Sequence, residues 1–97
     1  MEMNTTASEA SYRNALFQAT VLTSLFQNML YGATPEARES IIRAFLPFHG
    51  ELGVGEDFLR DLMDDLAEGR IGAVDMFAGH IIRSSNAYWC IWRVTYG

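Results

Sequence analysis

The chain is expected to fold as an all-α, compact bundle of about four helices, with an ambiguous aromatic C-terminal segment that is either helix or short strand. Three observations predict it. Apolar residues recur at helical spacing in successive stretches, capping residues stand at their starts, and the tail, the one strand-like segment, has no convincing second strand to pair with.

Residues 1–7 read as a loose N-terminal arm. Thr5, Thr6 and Ser8 offer an N-cap, with Glu9 in the first turn. From there Tyr12, Ala15, Ala19, Leu22, Phe26 and Met29 step by alternating threes and fours, a coiled-coil-like seam. Leu16, Leu25 and Leu30 widen that seam, while Phe17 and Val21 point elsewhere. Gly32 is placed to end the helix. Thr34-Pro35-Glu36 then supplies an N-cap, a proline at the first helical position and an acid near the dipole. The second helix carries Ile41, Ile42, Phe45 and Leu46 and stops near Pro47.

Residues 48–55 contain three glycines and read as a loop. A third helix starts at Glu56 or Asp57, with Phe58, Leu59, Leu62, Met63 and Leu66 on its apolar side, and Gly69 ends it. A fourth runs from about Ala73 to Arg83. The tail, Ala87–Tyr96, is rich in aromatic and β-branched residues, which favours a strand. An unpaired strand leaves its backbone donors and acceptors unsatisfied, so either the tail is helical, which is slightly favoured, or it pairs with the same segment of another copy.

The chain has 97 residues, enough for one domain and too few for two, so residues 1–97 are taken as a single helical domain. A composition of 49% hydrophobic and 20% charged residues places it among globular chains rather than disordered ones. Twelve acids stand against seven bases. The bases are all arginines, scattered at positions 13, 38, 43, 60, 70, 83 and 93. A net charge of −5 without a basic cluster argues against direct nucleic-acid binding. The absence of lysine fits GC-rich coding and a bacterial or phage source. Cys90 is the sole cysteine, so no disulfide forms within one chain and a reducing, cytoplasmic setting is expected. The polar, acidic start does not resemble a signal peptide.

From Asn14 to Pro35 no residue is charged. A membrane span is not expected there, because Asn14, Gln18, Thr20, Thr23, Ser24, Gln27 and Asn28 interrupt the run. Surface helices of monomers ordinarily show charge opposite the core. Neutral polar side chains instead suit a surface that becomes covered, since charge is depleted at interface centres. Helix one is therefore expected to be contacted on two sides, with Thr20, Ser24, Gln27 and Asn28 as candidate interface residues. A central helix wrapped wholly by its own chain is the equal alternative.

Tyr88, Trp89, Trp92, Arg93 and Tyr96 are candidates for the same role, because Trp, Tyr and Arg dominate protein-binding hot spots. Core packing and stacking on a flat ligand are the competing explanations. Asp57, Asp61, Asp64, Asp65 and Glu68 lie on one face of helix three. That face is either simply solvated or a docking surface for an arginine-rich partner.

No catalytic, cofactor-binding or metal-binding residues are assigned. His49 and His80 are the only side chains that ordinarily titrate near neutrality, and Cys90 with His80 is the only conceivable thiol–imidazole pair. Two histidines and one cysteine cannot close a zinc site, and the acids lack calcium-loop spacing. The glycine pairs Gly53-Val54-Gly55 and Gly69–Gly72 follow no strand and do not make a phosphate loop. The expected function is stoichiometric. The chain would bind a protein partner and modulate or inhibit it, as small inhibitors, anti-activators and phage counter-defence proteins do, and would act as a homo-oligomer rather than an enzyme. The alternative is an oligomer that holds a small nucleotide-like or apolar ligand between helices, clamped by Arg13 or Arg93 and an aromatic.

Overall fold

The computed structural model describes the backbone from Glu2 to Gly97 and the side chains from Glu9 onward. It is all-α, with five helices and, among the described residues, no strand: α1 Glu2–Gly32, α2 Pro35–Phe45, α3 Glu56–Glu68, α4 Ala73–Ile81 and α5 Ser85–Tyr96. A short 3-10 turn, Leu46–His49, follows α2. The fifth helix is the aromatic tail, which settles the choice between helix and strand.

α1 begins at Glu2, so residues 2–7, expected as a loose arm, continue the helix, and the expected caps at Thr5, Thr6 and Ser8 fall inside it. Ala7, Glu9 and Ala10 are strong helix formers, and lengthening an existing helix adds one bond per residue fixed. Met1 lies outside the described residues. With 31 residues α1 is about 46 Å long at the α-helical rise, and it sets the 52 Å long axis of the molecule. The other helices have 9 to 13 residues. Of these, α3, α4 and α5 pack against α1, from about its middle onward. Every residue from Glu9 to Ala15 is exposed, so Tyr12 and Ala15, expected in the packed seam, are not part of the core, and Ala15 only borders a groove beside α5.

The seam becomes a core at Ala19. Ala19, Leu22, Thr23, Phe26 and Leu30 are buried against α3, α4 and α5. Phe77 of α4 is the hub of the aromatic core, 6.0 Å from the Phe26 ring and 5.7 Å from Phe45. Phe45 in turn meets Phe48 at 5.3 Å. Leu59, Met63 and Leu66 close this core from α3, and Ile81, Ala87 and Ile91 from α4 and α5.

Local chemistry explains the boundaries. Thr34 Oγ1 accepts the Ala37 N–H at 3.1 Å ahead of Pro35. Ser84 Oγ does the same for Ala87 at the start of α5, and also donates to Glu51 at 2.9 Å. Gly69 and Gly72 take φ of 75° and 86°, a left-handed conformation that glycine adopts without steric cost, and so turn the chain between α3 and α4.

Gln27, half-buried on α1, donates its amide to the Leu66 carbonyl at 3.0 Å and so ties α1 to α3. A glutamate cannot make that bond and places a carboxylate against a carbonyl. Gln27→Glu is expected to cost about 1–3 kcal/mol, seen as a melting temperature lower by roughly 5–20 °C. A thermal melt unchanged by that substitution would remove the tie.

Candidate interaction surface

α5 turns three of its aromatic rings outward. Trp89 is 53% exposed, Trp92 41% and Tyr96 56%. They form a ladder with the half-buried Tyr88. The Tyr88 and Trp89 rings meet edge-on at 5.4 Å and Trp89 and Trp92 at 5.7 Å, while Trp92 and Tyr96 are tilted at 4.9 Å. The helical period produces this. Ala87 and Ile91 occupy the buried side, so positions 89, 92 and 96 face away from the core.

Beside the ladder runs an open groove. Phe17, Gln18, Val21 and Leu22 of α1 form one bank, and Tyr88, Trp92 and Tyr96 form the other. It continues past Gln18 and Tyr88 toward Ala15, Ser85 and Trp89. Phe17 is 66% exposed although it belongs to the uncharged stretch of α1. With Val21, Trp92 and Tyr96 it makes a contiguous exposed apolar surface. Arg93 is exposed on the same helix. Arg13 is exposed and lies 3.9 Å from Glu9.

The neutral polar residues of α1 divide. Thr20 is half-buried and donates its hydroxyl to the Leu16 carbonyl at 2.8 Å. Gln27 serves the α1–α3 tie, and Ser24 is half-buried. Thr23 is wholly buried with a hydroxyl that has no partner. Asn14, Gln18 and Asn28 remain exposed. The outer face of α1 is thus more apolar than the residue types alone suggested, because Phe17, Val21 and Leu25 lie on it.

On α3, Asp57, Asp61 and Glu68 are exposed, while Asp64 and Asp65 are half-buried. Burial pushes the Asp64 carboxyl up against the pull of Arg60. Arg70 reaches Asp65 at 3.1 Å and Glu68 at 3.2 Å. Arg60 contacts both carboxylate oxygens of Glu39, whose second partner, Arg43, lies at 2.9 Å. Hydrogen bonds from the two guanidinium groups hold the Glu39 carboxyl below its ordinary value. Part of the acidic face is therefore neutralised within the chain.

The histidines take structural positions. His49 Nδ1 sits 3.0 Å from the Val54 carbonyl, so that nitrogen carries the proton and steadies the loop. His80 packs edge-on against Phe58, with a buried Nδ1 that has no partner. Cys90 is half-buried, and burial raises its thiol, which lowers the thiolate fraction. Among the described residues no cluster of His, Cys, Asp and Glu is placed to hold a metal ion. Among the same residues no helix is long and apolar enough to cross a membrane. In comparisons with known proteins, no protein family, curated protein or solved structure matches the chain.

Proposed function

We propose that the chain is a protein-interaction protein that binds a protein partner stoichiometrically and modulates or inhibits it, as a homo-oligomer and without chemistry of its own. The observation that carries this is the aromatic ladder of α5, continuous with the exposed apolar side of α1. Trp and Tyr at the centre of such a surface supply large contact area at low entropic cost, and they are the residues most enriched at binding hot spots. The acidic face of α3 would contribute steering and specificity rather than the main contact, since rim charges act chiefly on encounter rates.

The test is capture from the host cell on immobilised protein. Wild type is expected to retain a partner that Trp89→Ala with Trp92→Ala does not. Charge reversal at Asp61, Asp64 and Asp65 is the control for the acidic face. Equal capture by wild type and the double tryptophan variant would remove the α5 ladder as the binding site.

A further inference from the structure

Acidic residues are unevenly placed along the chain. All twelve lie between Glu2 and Asp75, and none follows from Met76 to Gly97. α1 adds no charge from Asn14 to its end at Gly32. No charged residue lines the groove between α1 and α5. The acid that does touch the last helix, Glu51, is held by Ser84 and Asn86 at its start, two turns before Arg93. The aromatic ladder and its groove are thus free of acid, in a chain whose net charge is −5.

Arg93 stands at this surface. It follows Trp89 by four residues, which places the two on one side of α5, and it is exposed. Among the described residues no carboxylate lies within ion-pair distance of it, whereas Arg13, Arg43, Arg60 and Arg70 each have one. A cation in the last turn also suits the helix dipole, which explains the position of Arg93 but leaves its guanidinium unpaired.

Donors and acceptors are unbalanced in the same sense. The guanidinium of Arg93 and the indole N–H groups of Trp89 and Trp92 only donate, while a carboxylate only accepts. The two indoles belong to rings that are 53% and 41% exposed. A surface that covers them must supply acceptors or leave donors unpaired, which costs affinity.

We infer that the protein segment covering the α5 ladder carries an aspartate or glutamate beside its apolar contact residues, and that this carboxylate pairs with Arg93. The inference rests on the protein-binding role proposed above and names the chemistry of the partner. A guanidinium meets a carboxylate with two parallel hydrogen bonds, and aromatic neighbours that lose water on binding strengthen the pair. A lysine-rich segment is repelled by Arg93 and brings no acceptor to the indoles. The acids of α2 and α3 repel an acidic segment from their own side and so keep it to the acid-free one. Phosphates also accept, but a single arginine in an acidic chain does not neutralise a phosphate backbone.

The test is affinity selection of a randomised peptide library on the immobilised full chain, as wild type and as Arg93→Glu. Wild type is expected to enrich peptides with Asp or Glu beside Leu, Phe or Trp, and Arg93→Glu to enrich Lys or Arg in their place. That reversal of preference is a readout that the loss of a helix-end contact would not give. A peptide recovered on wild type is expected to bind Arg93→Gln about tenfold more weakly. Arg93→Lys should restore part of the loss. Arg83→Glu, the same change of charge just before α5, should bind as wild type. Peptides without acids that still require Trp89 and Trp92 would overturn the pairing and leave the protein-binding surface standing. Peptides that bind equally well after Trp89→Ala with Trp92→Ala, or the recovery of none, would remove that surface and the inference with it. Arg93-dependent binding to phosphatidylserine vesicles or to single-stranded DNA in place of peptides would overturn a protein as the occupant. A doubled mass in sedimentation that Arg93→Glu returns to 10.9 kDa would overturn it in favour of a second copy.

Discussion

Phe77→Ala is expected to lower the melting temperature by roughly 15–30 °C, the largest effect of any single truncation in the core. Phe77 is buried between Phe26 of α1 and Phe45 of α2, so its ring joins three helices at once. Deleting a buried phenylalanine costs about 3–5 kcal/mol, part from lost transfer and part from the cavity that remains. The whole stability of a domain this size is about 5–15 kcal/mol, and each kcal/mol moves the midpoint by about 4–8 °C. The neighbours cannot easily close the gap, because Phe26 and Phe45 are held by separate helices. A thermal melt followed by circular dichroism checks this. A fall of less than about 5 °C would mean that Phe77 is not where the helices are joined.

The second large effect concerns binding rather than folding. Trp89 and Trp92 are more than two fifths exposed, and their rings pair with one another and with the tyrosines of the same helix at the edge of the groove. Truncating an exposed side chain ordinarily changes stability by less than about 0.5 kcal/mol. Truncating an interface hot spot costs about 2–4 kcal/mol, which is roughly a 30- to 1,000-fold loss of affinity. The double alanine variant is therefore expected to melt within a few degrees of wild type and yet lose its partner. That separation, binding lost with fold retained, distinguishes an interface from a core. The competing expectation, that these tryptophans complete the core, requires the melting temperature to fall with them.

Much of the fold was legible because its signals are local. Thr34-Pro35-Glu36 marks the start of α2 by side-chain capping and proline geometry within four residues. Gly69 ends α3 because only the backbone next to it matters. The tail was harder. Its aromatic and β-branched residues suit a strand, and the signal against a strand lay upstream in Ser84, whose hydroxyl caps Ala87. Reading Ser84-Ser85-Asn86 as a helix start, with Ala87 and Ile91 four apart, would have resolved it.

The candidate interaction surface was legible in part. The uncharged stretch of α1 and the tail aromatics were both visible as residue types, and the structure brings them side by side. The partition of the polar flank was not visible. Gln27 is committed to a carbonyl 39 residues away, and no local pattern encodes such a bond. Tyr12 and Ala15 continue the apolar seam in sequence, yet both stay exposed, Tyr12 among wholly exposed neighbours and Ala15 at the rim of the groove beside α5. The acids of α3 were visible as a face, but the pairing of Asp65 and Glu68 with Arg70 depends on side-chain reach, and Arg60, on the same helix, is drawn to Glu39 of α2 instead.

The central claim is that the α5 ladder is covered by another protein. Trp89 and Trp92 are the only tryptophans in the chain, so fluorescence excited where tryptophan alone absorbs reports on that surface. The direct measurement is acrylamide quenching of this emission, without and with a partner recovered by capture and free of tryptophan or labelled to exclude its own signal. Binding is expected to shift the emission to shorter wavelength and to reduce quenching severalfold. A complex that forms while both tryptophans stay as quenchable as in the free chain would contradict the account.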